Sequence, residues 1–244
     1  MEYILWFIVI VAAYFVKAVA GFGNSPIHTG IMALSKNNAD LTPVDFVLTV
    51  PANVTLLIKY RKYLDKKLWV PGAVITALTA VPGALLLKNT DSRTLKVVCG
   101  VVILLLGVDM LARRKDGGDP PPEWLTLTLI AVSGVINSLF GIGVLLAAVM
   151  GRVIHDTKVL KANITAMFVT GNVVTLIMYI ATGLLTGDVL LRAFSLYPAM
   201  GLGLWAGFRC VGRLREQTVR ACTAVVLIFC GAMLIAGNIH SLLG

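Results

Sequence analysis

Val16-Lys17-Ala18-Val19-Ala20-Gly21-Phe22-Gly23-Asn24-Ser25-Pro26 and Ile136-Asn137-Ser138-Leu139-Phe140-Gly141-Ile142-Gly143-Val144 decide how this chain folds. In each stretch an apolar run of about one membrane-spanning length ends in Gly-x-Gly, and only a short further run follows. The two glycine pairs stand 120 residues apart (141 − 21 = 120). The chain repeats the same interruption in two halves.

Composition sets the solvent. The 244 residues are 58% hydrophobic and 14% charged, with mean hydropathy +0.88. A soluble domain of this length could not hide so much apolar side chain. Long charge-poor stretches recur, which predicts an all-α polytopic membrane protein. The net charge of +9 sits in short gaps between apolar runs, where it orients helices in a bilayer; nucleic acid is not an expected partner. Cys99, Cys210, Cys222 and Cys230 have no metal-ligand spacing and read as small apolar filler. The start, Met1-Glu2-Tyr3, lacks a basic leader and opens a run containing Lys17, so it reads as a retained helix rather than a cleaved signal. Nothing resembles a P-loop, HExxH or GxSxG, and the three histidines, His28, His155 and His240, are dispersed; no cofactor or metal is expected.

Ten apolar segments are predicted: 3–20, 24–35, 41–58, 68–87 and 94–112, then 124–140, 144–154, 162–182, 188–208 and 218–237. They divide into a first transmembrane repeat, 1–112, a linker at 113–123 rich in Gly, Pro and charge, and a second repeat, 124–244. Val54-Thr55-Leu56-Leu57-Ile58 matches Val174-Thr175-Leu176-Ile177-Met178 at the same offset of 120 (174 − 54). Segments 24–35 and 144–154 are short for a full span. Five segments per repeat make the repeats inverted; four make them parallel. With five, the loops divide their lysines and arginines fifteen to four, the clusters at 59–67, 113–115, 152–161 and 209–220 falling on one side. With four, they divide eight to eleven. The larger asymmetry favours two inverted repeats of five segments, the second of each a short half-helix, with both termini non-cytoplasmic.

A short helix is expected after each break. In the first, Ser25 is a candidate N-cap, with Pro26 at the first helical position. A run to about residue 35 gives roughly 18 Å at 1.5 Å per residue, against a hydrocarbon core of about 30 Å. Two inverted half-helices then bring their N-termini together near the membrane centre. Helix N-termini carry unpaired N–H groups and partial positive charge. Glycines such as Gly21, Gly23, Gly141 and Gly143 let a ligand approach the backbone. The expected ligand is a small anion. Around it the sequence nominates Lys17, Asn24, Ser25, Asn53, Asn137, Ser138 and Asn172. Lys17 reads either as an anion ligand or as a lysine snorkelling to the cytoplasmic face. Pro51 and Gly171 are exact repeat mates; Asn53 and Asn172 are near-equivalents. His28, one turn into the first short helix, is a candidate proton carrier. Asp45 reads as structural, near the outer interface, and Asp109 as a partner of Arg113. Gly83, Gly201, Gly203 and Gly207 are expected to allow close helix packing.

The duplicated apolar repeat, each opening on a Gly-aromatic/aliphatic-Gly break, resembles the TauE/SafE family of sulfite exporters, also called the toluene sulfonate uptake permease family. Ser133-Gly134-Val135-Ile136-Asn137-Ser138-Leu139-Phe140-Gly141-Ile142-Gly143 carries the likeness best, and it extends end to end. Val144-Leu145-Leu146 replaces the further Gly and Pro usual in the family after this break. The resemblance implies transport of sulfite, organosulfonates or related oxyanions across a plasma membrane, most simply a prokaryotic inner membrane. A secondary transporter working by alternating access is expected; a channel-like anion facilitator or a membrane-embedded enzyme are the alternatives. The expected partners are the anion and the lipid bilayer, and a homo-oligomer is compatible with both.

Overall fold

The computed structural model describes residues 2–33, 38–112, 122–211 and 216–243. These form ten α-helices and, among the described residues, no strand: α1 (Glu2–Ala20), α2 (Asn24–Met32), α3 (Asn38–Tyr60), α4 (Lys66–Asn89), α5 (Ser92–Ala112), α6 (Glu123–Phe140), α7 (Val144–Val153), α8 (Thr157–Ala181), α9 (Gly187–Cys210) and α10 (Glu216–Leu243). A 3-10 turn, Arg61–Tyr63, follows α3. Every expected segment is present. The starts differ where a cap was overlooked. Asp156 accepts from the N–H groups of Lys158 (2.7 Å) and Val159 (3.0 Å), so α8 begins at Thr157 rather than 162. Lys161, counted in the sequence as a loop charge, therefore lies inside a helix. Most of the expected linker (113–121) falls outside the described residues, as does Arg113, the expected partner of Asp109.

Among the described residues six helices, α1, α3, α4, α6, α8 and α9, are long and apolar enough to cross a membrane. Their surfaces show the same thing from outside. Large apolar side chains such as Ile8, Ile58, Leu78, Ile177, Leu191 and Trp205 are exposed, while Lys17, Asn24, His28, Asp45, Asn53 and Asn172 are buried. An aqueous protein does not expose apolar patches on this scale. Polar groups gathered inside an apolar shell are what a bilayer selects. The chain is an integral membrane protein.

The halves pack through one another. α1 packs on α9, as its repeat mate α6 packs on α4; α3 packs on its own mate α8, and α5 on its mate α10. Such pairing is what a two-fold relation between the halves produces. Small residues make it possible. A Cβ on Gly203 would come within 2.5 Å of the Val11 carbonyl, and one on Gly207 within 2.6 Å of the Phe15 carbonyl, so α9 and α1 touch backbone to backbone. Gly83 of α4 sits equally close to α6, 2.8 Å from the Val135 carbonyl by the same construction. Gly201 differs from expectation: it faces open space. α3 and α8 are the central pair, with 67% and 50% of their apolar spans buried against 28% for α9. The short helices α2 and α7 fold back beside them.

Candidate functional site

The two breaks are built alike. α1 ends with the Gly21 N–H donating to the Lys17 carbonyl at 2.7 Å, and α6 with the Gly141 N–H donating to the Asn137 carbonyl at 2.7 Å. Gly21 (φ +92°) and Gly141 (φ +72°) are left-handed, a conformation costing a side-chain-bearing residue about 1–2 kcal/mol. The second glycines part company. Gly23 is also left-handed, at φ +98°, whereas Gly143 lies at φ −92° and is small for lack of room: a Cβ there would run into the Phe168 ring.

α2 starts at Asn24, two residues before the expected first helical position, with Gly23 at the N-cap and no side-chain cap bond. Ser25 is not the cap. Its hydroxyl donates instead to the Asp45 carboxylate across in α3. Pro26 is the third helical residue, still in the first turn, where an N–H has no intrahelical acceptor to lose. α2 and α7 run 9 and 10 residues, about 14–15 Å, or half the hydrocarbon core.

Both breaks open into one small cavity of about 10 Å³, room for about one water. Its walls are Lys17 of α1; Phe22 and Gly23; Asn24, Ser25 and Pro26 of α2; Thr49 and Asn53 of α3; Asn137 of α6; Gly141 and Gly143; and Phe168 and Asn172 of α8. Nine of the expected residues thus meet in one place. Gly21 and Ser138 do not line it. Gly21 packs on the stem of Lys161, whose ammonium donates to the Val19 carbonyl at 2.6 Å and so caps the broken end of α1. Ser138 donates to the Ala80 carbonyl at 2.7 Å, tying α6 to α4. Thr49, Phe22, Pro26 and Phe168 reach the cavity without having been nominated.

Inside, the polar groups are mostly donors. Lys17 is 2% exposed and donates to Asn24 Oδ1 at 2.8 Å, so it does not snorkel. It makes no salt bridge among the described residues, so its buried charge is only partly compensated. Asn137 donates to Asn172 Oδ1 at 3.0 Å, holding that amide in place. Asn53 is 1% exposed, and among the described residues neither its nitrogen nor its oxygen has a hydrogen-bond partner. A buried amide left unmatched costs about 1–3 kcal/mol, so such groups in a cavity wall ask for a ligand. The first N–H groups of α2 and α7 open at the same place, through Gly23 and Gly143.

Asp45 is the main correction. It is not at the interface but fully buried. It accepts from Ser25, from Asn24 Nδ2 at 3.4 Å and from Thr49 Oγ1 at 3.4 Å, and Asn24 Nδ2 also reaches Thr49 at 2.7 Å. Asp45 therefore stands one side chain behind the cavity wall. His28, also fully buried, places Nδ1 3.5 Å from Asp45 Oδ1. That is an ion-pair distance without hydrogen-bond alignment, and neither ring nitrogen has a hydrogen-bond partner. The other face of the imidazole tilts against Trp6, at 5.2 Å between ring centres.

A helical membrane protein whose two interrupted helices meet at one buried polar cavity has an architecture found among membrane transporters. The chain belongs to the sulfite exporter TauE/SafE family: the family model matches residues 6–234, nearly its whole length. No curated protein and no solved structure matches it.

Proposed function

We propose that the protein is a secondary transporter of a small sulfur-containing anion, such as sulfite, an organosulfonate or a related oxyanion, and that the cavity between the two breaks is its binding site. The observation that carries the reading is the convergence of Lys17, the unpartnered amide of Asn53 and two half-helix N-termini on one buried space. The ammonium and the helix dipoles favour negative charge, and the amides suit oxyanion oxygens. The family supplies sulfur, which the donors alone do not name.

In this reading residues 1–112 and 124–244 are inverted five-segment repeats, joined through 113–123 on the cytoplasmic side of a plasma membrane, with both termini outside. The anion is held while one group of helices rocks against the other, and His28 carries a proton. The deciding experiment is flux into liposomes for sulfite, thiosulfate, sulfate, methanesulfonate and acetate. Saturable transport of a sulfur oxyanion, with acetate excluded, is expected. Absence of transport for every anion overturns the reading, and flux that does not saturate makes the protein a channel-like facilitator.

A further inference from the structure

We infer that Asp45 and His28 form one proton-binding pair that couples anion movement to proton movement, a single proton travelling with each anion. This rests on the anion-transport reading of the cavity. The argument is one of charge balance. Of the buried ionisable groups, Lys17 lines the cavity and Asp45 stands just behind its wall, while the ammonium of Lys161 is held away at the Val19 carbonyl; counted as ionised, with a neutral imidazole, Lys17 and Asp45 cancel. A monoanion entering the cavity then leaves a buried cluster at net −1, and net charge in a dry interior is costly. A proton on the pair, held between Nδ1 of His28 and the Asp45 carboxylate 3.5 Å away, restores neutrality. Proton uptake and anion binding therefore favour each other, and the effect is reciprocal.

Position supports this as much as charge. Asn24 and Ser25 line the cavity and also hold Asp45, so an anion that engages them alters the carboxylate's own hydrogen bonds. A Cβ on Gly141, the second break's first glycine, would lie 2.8 Å from Asp45 Oδ2, which places the carboxylate directly behind both breaks. Unmatched ring nitrogens leave His28 free to gain or lose a proton without breaking a bond. The other groups facing the pair are few. From α1 come Lys17 and Tyr14, both within the field of Asp45, and from α8 Tyr179. Arg192 of α9 stacks over Trp6 at 5.4 Å, Cys230 of α10 lies beside Gly30 of α2, and α6 presents backbone at Gly141. None of these is a second carboxylate.

The test uses the whole protein in liposomes loaded with a pH-sensitive dye, with voltage clamped by potassium and valinomycin. Methanesulfonate, thiosulfate and sulfite are the probes, sulfite at alkaline pH where it is fully ionised. Exchange of labelled anion at equal pH on both sides is measured first; if none of the three exchanges, the transport reading fails together with this one. Given exchange, an imposed pH difference of one unit should drive about tenfold accumulation of methanesulfonate, the limit for one proton per monoanion. The dye should report protons entering with whichever anion exchanges. Asp45→Asn and His28→Gln should each cut the proton flux per anion exchanged at least tenfold. Anion exchange that ignores the pH difference and moves no protons overturns the inference while leaving anion transport standing. So does a wild-type proton-to-anion ratio in both variants.

Discussion

A lysine 2% exposed inside an apolar shell needs a reason to be there, and at Lys17 the protein provides one neutral hydrogen bond to Asn24 and no salt bridge among the described residues. Lys17→Gln keeps an N–H donor on a side chain one atom shorter and removes the charge. A charge-assisted bond is worth about 1.5–3 kcal/mol, so anion affinity should fall roughly 10- to 100-fold, measured as Kd from direct binding of labelled anion. Unchanged affinity would remove Lys17 from the site. The two amides separate structure from binding. Asn53 has no hydrogen-bond partner to strand among the described residues, so Asn53→Ala should weaken anion binding several-fold while thermal melting in detergent moves little. Asn172→Ala also leaves the Asn137 N–H without its acceptor, which costs about 1–3 kcal/mol, so it should lower Tm and affinity together. Equal stability losses in the two variants would contradict that distinction. Lys17, Asn53, Asn137 and Asn172 were legible in the sequence because a polar residue within an apolar run stands out. Asp45 was not. It lies seven residues into α3 (45 − 38 = 7), and its depth depends on where α2 ends and α3 enters, which local sequence does not encode.

At the scale of elements, the two breaks make different demands although their sequences look alike. Gly23 needs its left-handed backbone; the nearest atom a Cβ would meet is Val16 Cγ1 at 3.5 Å, an ordinary contact. Gly23→Ala should therefore cost about 1–2 kcal/mol that no neighbouring substitution recovers, and Gly23→Asn less, since Asn tolerates φ > 0. Gly143→Ala meets the Phe168 ring, so Phe168→Ala in the same chain should restore insertion and anion exchange lost in the single variant. Rescue of Gly23→Ala by trimming Val16, or none of Gly143→Ala by trimming Phe168, would reverse the assignment. Helix number and order were readable from hydropathy, but the starts of α4 and α8 were not, because each is set by one aspartate, Asp65 or Asp156, placed before a run of basic and apolar residues. Asp156 also gives a pH prediction. The N–H groups of Val159 and Lys158 hold its carboxyl below the usual carboxylate range. A depressed folded-state value means stability present above the unfolded value and lost as pH falls through the folded one. Asp156→Ala should lower Tm at neutral pH, and its difference from the parent should shrink as pH drops below about 4. A difference that persists in acid would show that the cap acts through something other than its charge.

For the molecule as a whole, the pairing of α1 with α9, α6 with α4, and α3 and α5 with their own mates follows from any two-fold relation between the halves. It does not choose between an axis in the membrane plane and one along its normal. We propose that charge makes that choice. With Lys161 set aside as buried within α8, fourteen lysines and arginines against four is a strong orientation signal if α2 and α7 each return the chain to the side it came from, and eight against ten is none if they do not. The short helices support the first arrangement on length, since 9 and 10 residues cover only about half a hydrocarbon core and their starts meet in one cavity. The hydropathy pattern reveals the repeat but not its handedness, because an apolar helix reads the same in either direction. Single-cysteine labelling in cells resolves it, after the native Cys99, Cys210, Cys222 and Cys230 are replaced by alanine. Tyr3→Cys, Asn89→Cys and Gly183→Cys should react with an impermeant maleimide from outside, while Lys62→Cys, Asp156→Cys and Val211→Cys should react only once the membrane is opened. Parallel repeats would place position 183 with position 62 and position 89 with position 156. Labelling of Tyr3→Cys and Lys62→Cys from the same side would overturn the inverted arrangement and with it the argument that the two half-helices approach the cavity from opposite faces.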